Sequence, residues 1–274
     1  MSPEPVSMHC VDRGRADAPA LVLIHSIATH SAMWSAQIPL WSQSFRVLAV
    51  DLPGHGKSAP DPRLEDPQQY AQLIIDLLDR SGQKRCAIVG LSLGGMIGQM
   101  VALSHPERVH SLVIANSSAR LPPQMHERWE ARKRQALEEG MESQVNSTLE
   151  RWFTPEFRTQ CPITVQWVAG MIRRTHPTGY RDAIAAIQAT QTFDRAATIG
   201  CPVLVVAARH DAATPVAALE QLAGVIPGAQ CEVLEHAAHL SNIAQPIEFT
   251  ERVGGFLART HHMANSAAMP EVGS

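Results

Sequence analysis

Short apolar runs alternate along the chain with longer segments in which apolar residues recur every three or four positions. Five runs rich in valine, leucine and isoleucine predict strands buried on both faces: Leu21–His25, Val47–Asp51, Ala87–Gly90, Leu112–Ala115 and Val203–Ala208. Two further runs predict edge strands: Val6–Val11 and Cys231–Leu234. Four periodic segments predict packing helices: Tyr70–Leu78, Met96–Leu103, Val216–Leu222 and Phe249–Leu257. This alternation predicts an α/β fold with a mostly parallel central sheet flanked by helices.

The strand pattern stops between residues 120 and 195, where helical composition is punctuated by prolines such as Pro122, Pro155 and Pro177. We interpret residues 120–195 as a helical lid inserted into a core made of residues 1–119 and 196–260. Residues 261–274 are expected to form a tail without regular structure. The lid carries eleven basic and nine acidic side chains. This balance fits ordinary solvated helix faces or a lid that attracts an anionic substrate, and the sequence leaves both open.

Composition narrows the class of protein. With 274 residues, 45% of them hydrophobic and 18% charged, the chain has enough apolar side chains for one globular domain with an insertion. The net charge of −3, without a basic stripe, gives no electrostatic footprint for nucleic acid. We expect no membrane association and a cytoplasmic location, because the chain shows neither a run of ~20 apolar residues nor a secretory signal. Neither the five cysteines nor the thirteen histidines have metal-ligand spacing, so no metal is expected.

One glycine-rich turn carries candidate chemistry. Gly90-Leu-Ser92-Leu-Gly94 follows an apolar run and precedes a helical segment, which is the context of a nucleophile elbow. In such a turn the serine hydroxyl is exposed by a strained backbone, and side chains at the flanking glycines would collide with the neighbouring strand or helix. A flexible glycine turn is the alternative interpretation. The residues that follow along the chain decide between the two.

A serine nucleophile needs a base, and the base needs a carboxylate that orients it. With a nucleophile elbow, the three residues are expected along the chain in the order serine, acid, histidine. The acid is then expected at the end of a late strand, and Asp211 follows the apolar run that ends at Ala208. Thr214 and Pro215, which come next, resemble a helix N-cap and a first helical residue. Asp211 as a simple turn residue is the alternative, and Asp194 is the fallback acid.

The base is expected to be the last of the three residues along the chain, in the loop after the predicted strand Cys231–Leu234. Two histidines lie there, His236 and His239. We select His239 because it lies deeper in the loop, directly before Leu240, whereas His236 follows the strand and is expected to pack or to meet solvent. Ser92, Asp211 and His239 are therefore the predicted catalytic residues.

Ester cleavage also creates an oxyanion, which preorganised amide groups stabilise. One donor is expected to be the backbone amide of Leu93, directly after the nucleophile. The other is expected in the loop after an early strand, from His25 to Thr29, where we choose the amide of Ile27. His25 itself is expected to brace this loop through hydrogen bonds.

Four motifs together resemble the α/β-hydrolase family, with coverage from about residue 6 to residue 258: His25–Trp34, Asp51–Ser58, Gly90–Gly98 and His239–Ile243. Two lid segments, Glu150–Phe157 and His176–Tyr180, look like those of 3-oxoadipate enol-lactonases. That resemblance implies an α/β-hydrolase fold and opening of a small anionic enol-lactone to 3-oxoadipate by water, without a cofactor, in the breakdown of aromatic compounds. Ser26-Ile-Ala-Thr and Asn116-Ser-Ser-Ala depart mildly from the usual lactonase motifs, which leaves room for a shifted substrate.

The resemblance also suggests the residues that select the substrate, a small anionic lactone or ester. The predicted substrate-binding residues are Trp129, Arg132, Trp152 and Tyr180, with Arg132 one turn after Trp129 and facing a substrate carboxylate. A solvent-facing Arg132 is the alternative. Rival functions with the same fold are another carboxylesterase, lactonase or carbon-carbon hydrolase, a perhydrolase, and a ligand-binding protein without catalysis.

Overall fold

The computed structural model describes residues 8–61, 63–64 and 66–267. Seven strands form one sheet: β1 Cys10–Arg13, β2 Ala20–Ile24, β3 Arg46–Val50, β4 Cys86–Leu91, β5 Val109–Ala115, β6 Val203–Ala208 and β7 Gln230–Leu234. The helices, short 3-10 turns aside, are α1 Ile38–Trp41, α2 Pro67–Arg80, α3 Leu93–Ser104, α4 His126–Glu139, α5 Val145–Trp152, α6 Pro155–Gln160, α7 Pro162–Arg174, α8 Pro177–Ala189, α9 Val216–Val225, α10 Ser241–Ala244 and α11 Pro246–Ala267.

The strands lie in the order β1-β3-β2-β4-β5-β6-β7, and only β1, at one edge, is antiparallel to its neighbour. Every residue of β2, β4 and β6 is buried, as their unbroken apolar sequences predict. Helix α3 packs on β4 and β5, α11 on β5, and α9 on β6 and β7. The predicted α/β class with a mostly parallel, helix-flanked sheet is confirmed. The carboxyl ends of its parallel strands meet at one edge, where the candidate residues lie.

Helices α4 to α8 lie between β5 and β6. The two ends of this connection are held together by an isolated β-bridge between Arg120 and Gln191, and the Arg120 guanidinium lies 4.3 Å from the centre of the Phe193 ring. Helix α8 meets the core at a close backbone approach, since a Cβ atom on Gly54 would lie 2.4 Å from the Cα of Gly179. None of the helices in the described ranges has the length and apolarity needed to cross a bilayer.

Two local predictions are wrong. The tail from residue 261 was expected to lack regular structure, but α11 continues to Ala267; residues 268–274 lie outside the described residues. Neither glycine nor proline occurs from Phe256 to Ala267, and extending a helix already formed adds one hydrogen bond per residue without a new nucleus. Thr214 is not an N-cap, because α9 begins at Val216 with Pro215 as its N-cap.

The predicted strand Val6–Val11 is shifted. Residues 6 and 7 lie outside the described residues, and pairing with β3 begins at Cys10 and runs to Arg13. The register is set by the partner strand, since Cys10 lies opposite Val50 and Arg13 opposite Val47. An edge strand ends where its neighbour ends, which the sequence of the edge strand alone does not specify.

Candidate active site

Ser92 lies at the turn between the end of β4 and the first residue of α3. Its backbone adopts φ 57° and ψ −116°, a strained conformation for a residue with a side chain. The flanking glycines are required by space: a Cβ on Gly90 would lie 2.1 Å from the carbonyl oxygen of Gly94, and a Cβ on Gly94 2.1 Å from that of Ile24. The side chain of Ser92 is half-buried while its neighbours Leu91 and Leu93 are buried. The turn therefore has the backbone geometry of a nucleophile elbow.

Asp211 lies in the loop after β6 and collects hydrogen bonds on both carboxylate oxygens. Oδ1 accepts from the backbone amides of Ala213 at 2.8 Å and Thr214 at 3.1 Å. Oδ2 accepts from Nδ2 of Asn116 at 2.9 Å, from the Thr214 hydroxyl, and from Nδ1 of His239 at 2.8 Å. The Thr214 side chain thus holds the carboxylate instead of capping α9. The fallback Asp194 is exposed, in a 3-10 turn after the lid helices.

The environment of Asp211 favours its charged form. Burial alone would raise the pKa of the carboxyl group, but the attraction of His239 and the hydrogen bonds from His239, Thr214 and Asn116 outweigh it. The pKa of Asp211 therefore lies below its ordinary value. An ionised carboxylate accepts the N–H of Nδ1 and leaves Nε2 of the imidazole as the proton acceptor.

Behind Asp211 the network continues to Asn116 and Ser241, which were not among the predicted site residues. Asn116, the first residue after β5, is fully buried with φ 45°, and its Oδ1 accepts from the hydroxyl of Ser241 at 2.6 Å. Ser241 begins α10, directly after the loop that carries His239. One amide side chain therefore links the loops after β5, β6 and β7. The sequence signal available for Asn116 was its place as a polar residue directly after a buried parallel strand.

His239, and not His236, contacts the acid. His239 is 4% exposed, whereas His236 is exposed at the end of β7. The indole of Trp152 stacks on the His239 ring with the ring centres 6.3 Å apart and the planes at 23°. The Trp152 carbonyl also accepts the amide of Leu240 at 3.3 Å. The end of α5 is thereby fixed over the histidine loop.

The loop after β2 approaches the elbow from the other side. His25 braces it as expected: Nδ1 donates to the carbonyl of Ser26 at 2.7 Å, and Nε2 accepts the amide of Leu52 at 2.8 Å. Burial, and then His55, lower the pKa of His25 to about 3, which keeps the ring neutral for this pair of bonds. Ile27 is buried, and Ala28 turns the chain with φ 56°.

Among the predicted substrate-binding residues, Trp129 and Arg132 lie on α4 and Tyr180 on α8. The Arg132 guanidinium lies over the Trp129 ring, 4.7 Å from its centre, and the buried Trp129 indole N–H donates to none of the described residues. Tyr180 is 2% exposed; burial raises the pKa of its hydroxyl, against the opposing effect of Arg132 and Arg151. Arg151, on α5, is a further cation near Tyr180 that was not among the predicted substrate-binding residues. The sequence signal for Arg151 was its position directly before Trp152, a predicted substrate-binding residue.

Across residues 8–61, 63–64 and 66–267, no three His, Cys, Asp or Glu side chains cluster in a way suited to a metal ion. The candidate side chains at this edge of the sheet are a hydroxyl, an imidazole and a carboxylate, from Ser92, His239 and Asp211.

Comparison with known proteins agrees with this architecture. Residues 21–253 match the alpha/beta hydrolase family. "3-Oxoadipate enol-lactonase 2" of Acinetobacter baylyi (strain ATCC 33305 / BD413 / ADP1) is 30% identical over 259 residues, which cover 94% of this chain and 96% of that protein. "Uncharacterized carboxylesterase nap" of Bacillus subtilis (strain 168) is 29% identical over 252 residues, covering 90% and 82%.

Among solved structures, that of the enol-lactonase from Burkholderia xenovorans LB400 superposes with a TM-score of 0.87 at 32% identity, covering 93% of this chain and all of that one. These matches confirm the α/β-hydrolase fold and the resemblance drawn from the motifs. The chain belongs to the alpha/beta hydrolase family.

Proposed function

We propose that this hydrolase cleaves carboxylic esters or lactones through an acyl-enzyme, with Ser92 as nucleophile, His239 as general base and Asp211 as the residue that orients His239. The observation that carries the proposal is the buried Asp211–His239 hydrogen bond, in a protein whose Ser92 occupies a strained strand-to-helix turn. A hydroxyl is a weak nucleophile without an adjacent base, and a base is effective when a third group fixes its tautomer.

In the proposed first step, Nε2 of His239 takes the proton of the Ser92 hydroxyl while Oγ attacks the carbonyl carbon. The tetrahedral intermediate collapses, the bond to the leaving oxygen breaks, and the imidazolium returns a proton to the leaving group. Water, deprotonated by the same nitrogen, then attacks the acyl-enzyme and releases the carboxylic acid and Ser92. One water molecule is consumed, and neither an oxidant nor a cofactor is required.

The amides of Leu93 and Ile27 are the proposed oxyanion donors. Leu93 is the first residue of α3, a helix of 12 residues, and the first amides of a helix have no acceptor within it. The fit of Gly94 against the Ile24 carbonyl brings the start of α3 close to the loop that contains Ile27. Donors fixed before reaction stabilise the developing charge without reorganisation.

For the substrate, we propose 3-oxoadipate enol-lactone, opened to 3-oxoadipate in aromatic catabolism. The similarity to enol-lactonases over nearly the whole chain supports this choice, as do the lid segments around Trp152 and Tyr180. Arg132, stacked on Trp129, is the proposed partner of the substrate carboxylate. The leaving enol tautomerises to a ketone, which makes ring opening favourable.

A simple carboxylesterase is the second candidate, because a carboxylesterase is similar to this chain at nearly the same identity. The triad determines the type of reaction, and the pocket determines the substrate. The two candidates differ in the preference between 3-oxoadipate enol-lactone and neutral aryl esters.

The test compares the wild type with Ser92→Ala on the enol-lactone and on a panel of neutral esters and lactones. Ser104→Ala, at the other end of α3, is the matched control and is expected to keep wild-type rates. Loss of activity in Ser92→Ala by a factor on the order of 10⁶ is expected for a nucleophile. Undiminished turnover by Ser92→Ala contradicts the mechanism, and turnover of neutral esters without the enol-lactone favours the carboxylesterase.

A further inference from the structure

Two arginines of the lid, Arg132 and Arg151, are close enough to interact electrostatically. Within the described part of the chain, neither Arg132 nor Arg151 forms an ion pair with a carboxylate. The Arg132 guanidinium packs on the Trp129 ring at 4.7 Å, and Nη2 of Arg151 donates to the hydroxyl of Thr148 at 3.0 Å. Both arginines are half-buried. Most of their N–H groups therefore donate to no acceptor among the described residues.

This arrangement is unfavourable for the free protein. Burial lowers the pKa of Arg151 to about 10, and the nearby charge of Arg132 contributes to that shift. Burial also lowers the pKa of Arg132. By contrast, the exposed Arg173 of the lid is paired, since its Nε lies 2.6 Å from an oxygen of Glu142. Glu150, next to Arg151 in the chain, opposes the shift of the Arg151 pKa but forms no ion pair with it in the described residues. Two half-buried like charges outside any ion pair are unfavourable for folding, and such local conflicts are expected at functional sites.

The arginine pair lies beside the residues that cover the candidate triad. Arg151 directly precedes Trp152, whose indole stacks on His239. The hydroxyl of Tyr180, on α8, interacts electrostatically with both Arg132 and Arg151. Helices α4, α5 and α8 thus bring two guanidinium groups and a phenol together within the lid. An anion bound between the guanidinium groups would receive charge-assisted hydrogen bonds from two planar donors.

We propose that Arg132 and Arg151 together form one carboxylate subsite, and that Arg151 is a specificity-determining residue that selects esters and lactones bearing a second, free carboxylate. The inference rests on the proposed function for the reacting end of the substrate. The subsite itself is independent of Ser92. The substrate class is that of half-esters and lactones of small dicarboxylic acids, and the free diacid is expected to bind as a product analogue.

Adipate binding to Ser92→Ala, measured by calorimetry, tests the subsite without catalysis. Adding Arg151→Gln or Arg132→Gln to this background is expected to weaken binding by at least about tenfold each. The effects are expected to be non-additive when combined, because one carboxylate contacts both residues. Arg134→Gln removes an exposed cation from α4 and is the matched control, with an expected change below about threefold. If the double variant Ser92→Ala/Arg151→Gln binds adipate as tightly as Ser92→Ala alone, the proposal is overturned.

Steady-state kinetics distinguish a role of Arg151 in substrate selection from a role in supporting the structure. With monomethyl and dimethyl adipate as substrates, Arg151→Gln is expected to lower kcat/KM by at least about tenfold for the charged half-ester only. An equal loss on both esters contradicts a specificity role. The melting temperature of Arg151→Gln is expected to equal or exceed that of the wild type, because a buried repulsion is removed. Arg151→Lys, which keeps the charge without the planar fork, is expected to bind adipate with intermediate affinity and is the second variant.

The outcomes for the two proposals are distinct. Hydrolysis that persists in Ser92→Ala contradicts the mechanism and leaves the binding measurement intact. Adipate that binds Ser92→Ala equally with and without both arginines contradicts the subsite and leaves the mechanism intact.

Discussion

Oδ2 of Asp211 and Nδ1 of His239 lie 2.8 Å apart, although the two residues are 28 positions apart in the chain and belong to loops after different strands. Both side chains are almost completely buried, at 0% and 5% exposure. Parallel strands β6 and β7 end at the same edge of the sheet, so the loops that follow them meet there. In the proposed mechanism this hydrogen bond fixes which nitrogen of His239 faces the nucleophile.

Asp211→Asn is expected to reduce kcat on the order of 10³- to 10⁴-fold. An amide in this position can donate to Nδ1, which favours the tautomer with its proton on Nε2 and removes the base. The measurement is the pre-steady-state and steady-state rate on an aryl ester, with circular dichroism to show that the fold is retained. A loss of less than about tenfold contradicts the orienting role.

The same carboxylate contributes to stability in a pH-dependent way. Because the folded pKa of Asp211 lies below the unfolded value, its contribution is fully present above the unfolded pKa of about 3.9 and is lost as pH falls through the folded pKa. The difference in the free energy of unfolding between the wild type and Asp211→Asn is therefore expected to be larger at pH 6 than at pH 3. Urea titrations at the two pH values measure it, and a constant difference contradicts the expectation.

Asn116 is expected to position Asp211. Asn116→Gly removes both side-chain hydrogen bonds while tolerating the φ of 45°, whereas Asn116→Ala removes the same bonds and adds backbone strain. Both variants are expected to lose about tenfold or more in kcat, with KM nearly unchanged and the acid limb of the pH–rate profile shifted, since Asp211 loses a donor. Asn116→Ala is also expected to be the less stable of the two by about 1 kcal/mol. An unshifted pH profile would show a purely structural role.

Gly94 is expected to tolerate no side chain. In Gly94→Ala the new methyl group would lie 2.1 Å from the carbonyl oxygen of Ile24, which is backbone and cannot move independently of β2. We expect a destabilisation of about 1–3 kcal/mol or more and loss of activity through displacement of the elbow. Gly224→Ala, in α9, is the matched control: open space surrounds Gly224, and the change is expected to be neutral or stabilising by up to about 1 kcal/mol. Thermal melts and esterase assays measure both variants.

The sequence by itself determined the features that depend on neighbouring residues. The apolar runs of β2, β4 and β6 predict buried parallel strands because both faces need apolar side chains. The spacing of Gly90, Ser92 and Gly94 predicts the elbow because the turn admits no side chain at the glycines. Chain order, together with the position of His239 deep in its loop, predicts the pairing of Asp211 with His239, since successive parallel strands deliver their following loops to the same edge.

Only the tertiary structure decided which side chains converge from distant segments. Asn116 joins Asp211 across 95 positions and Ser241 across 125, a relationship that no local pattern encodes. Arg151 is an ordinary helical cation in the sequence and becomes distinctive because α4 and α5 bring it within electrostatic reach of Arg132. The helical continuation to Ala267 was missed because propagation depends on the turn already formed and not on the periodicity of the last residues. Charge balance and contact between remote residues are properties of the packed chain, so they become visible only when the helices are in place.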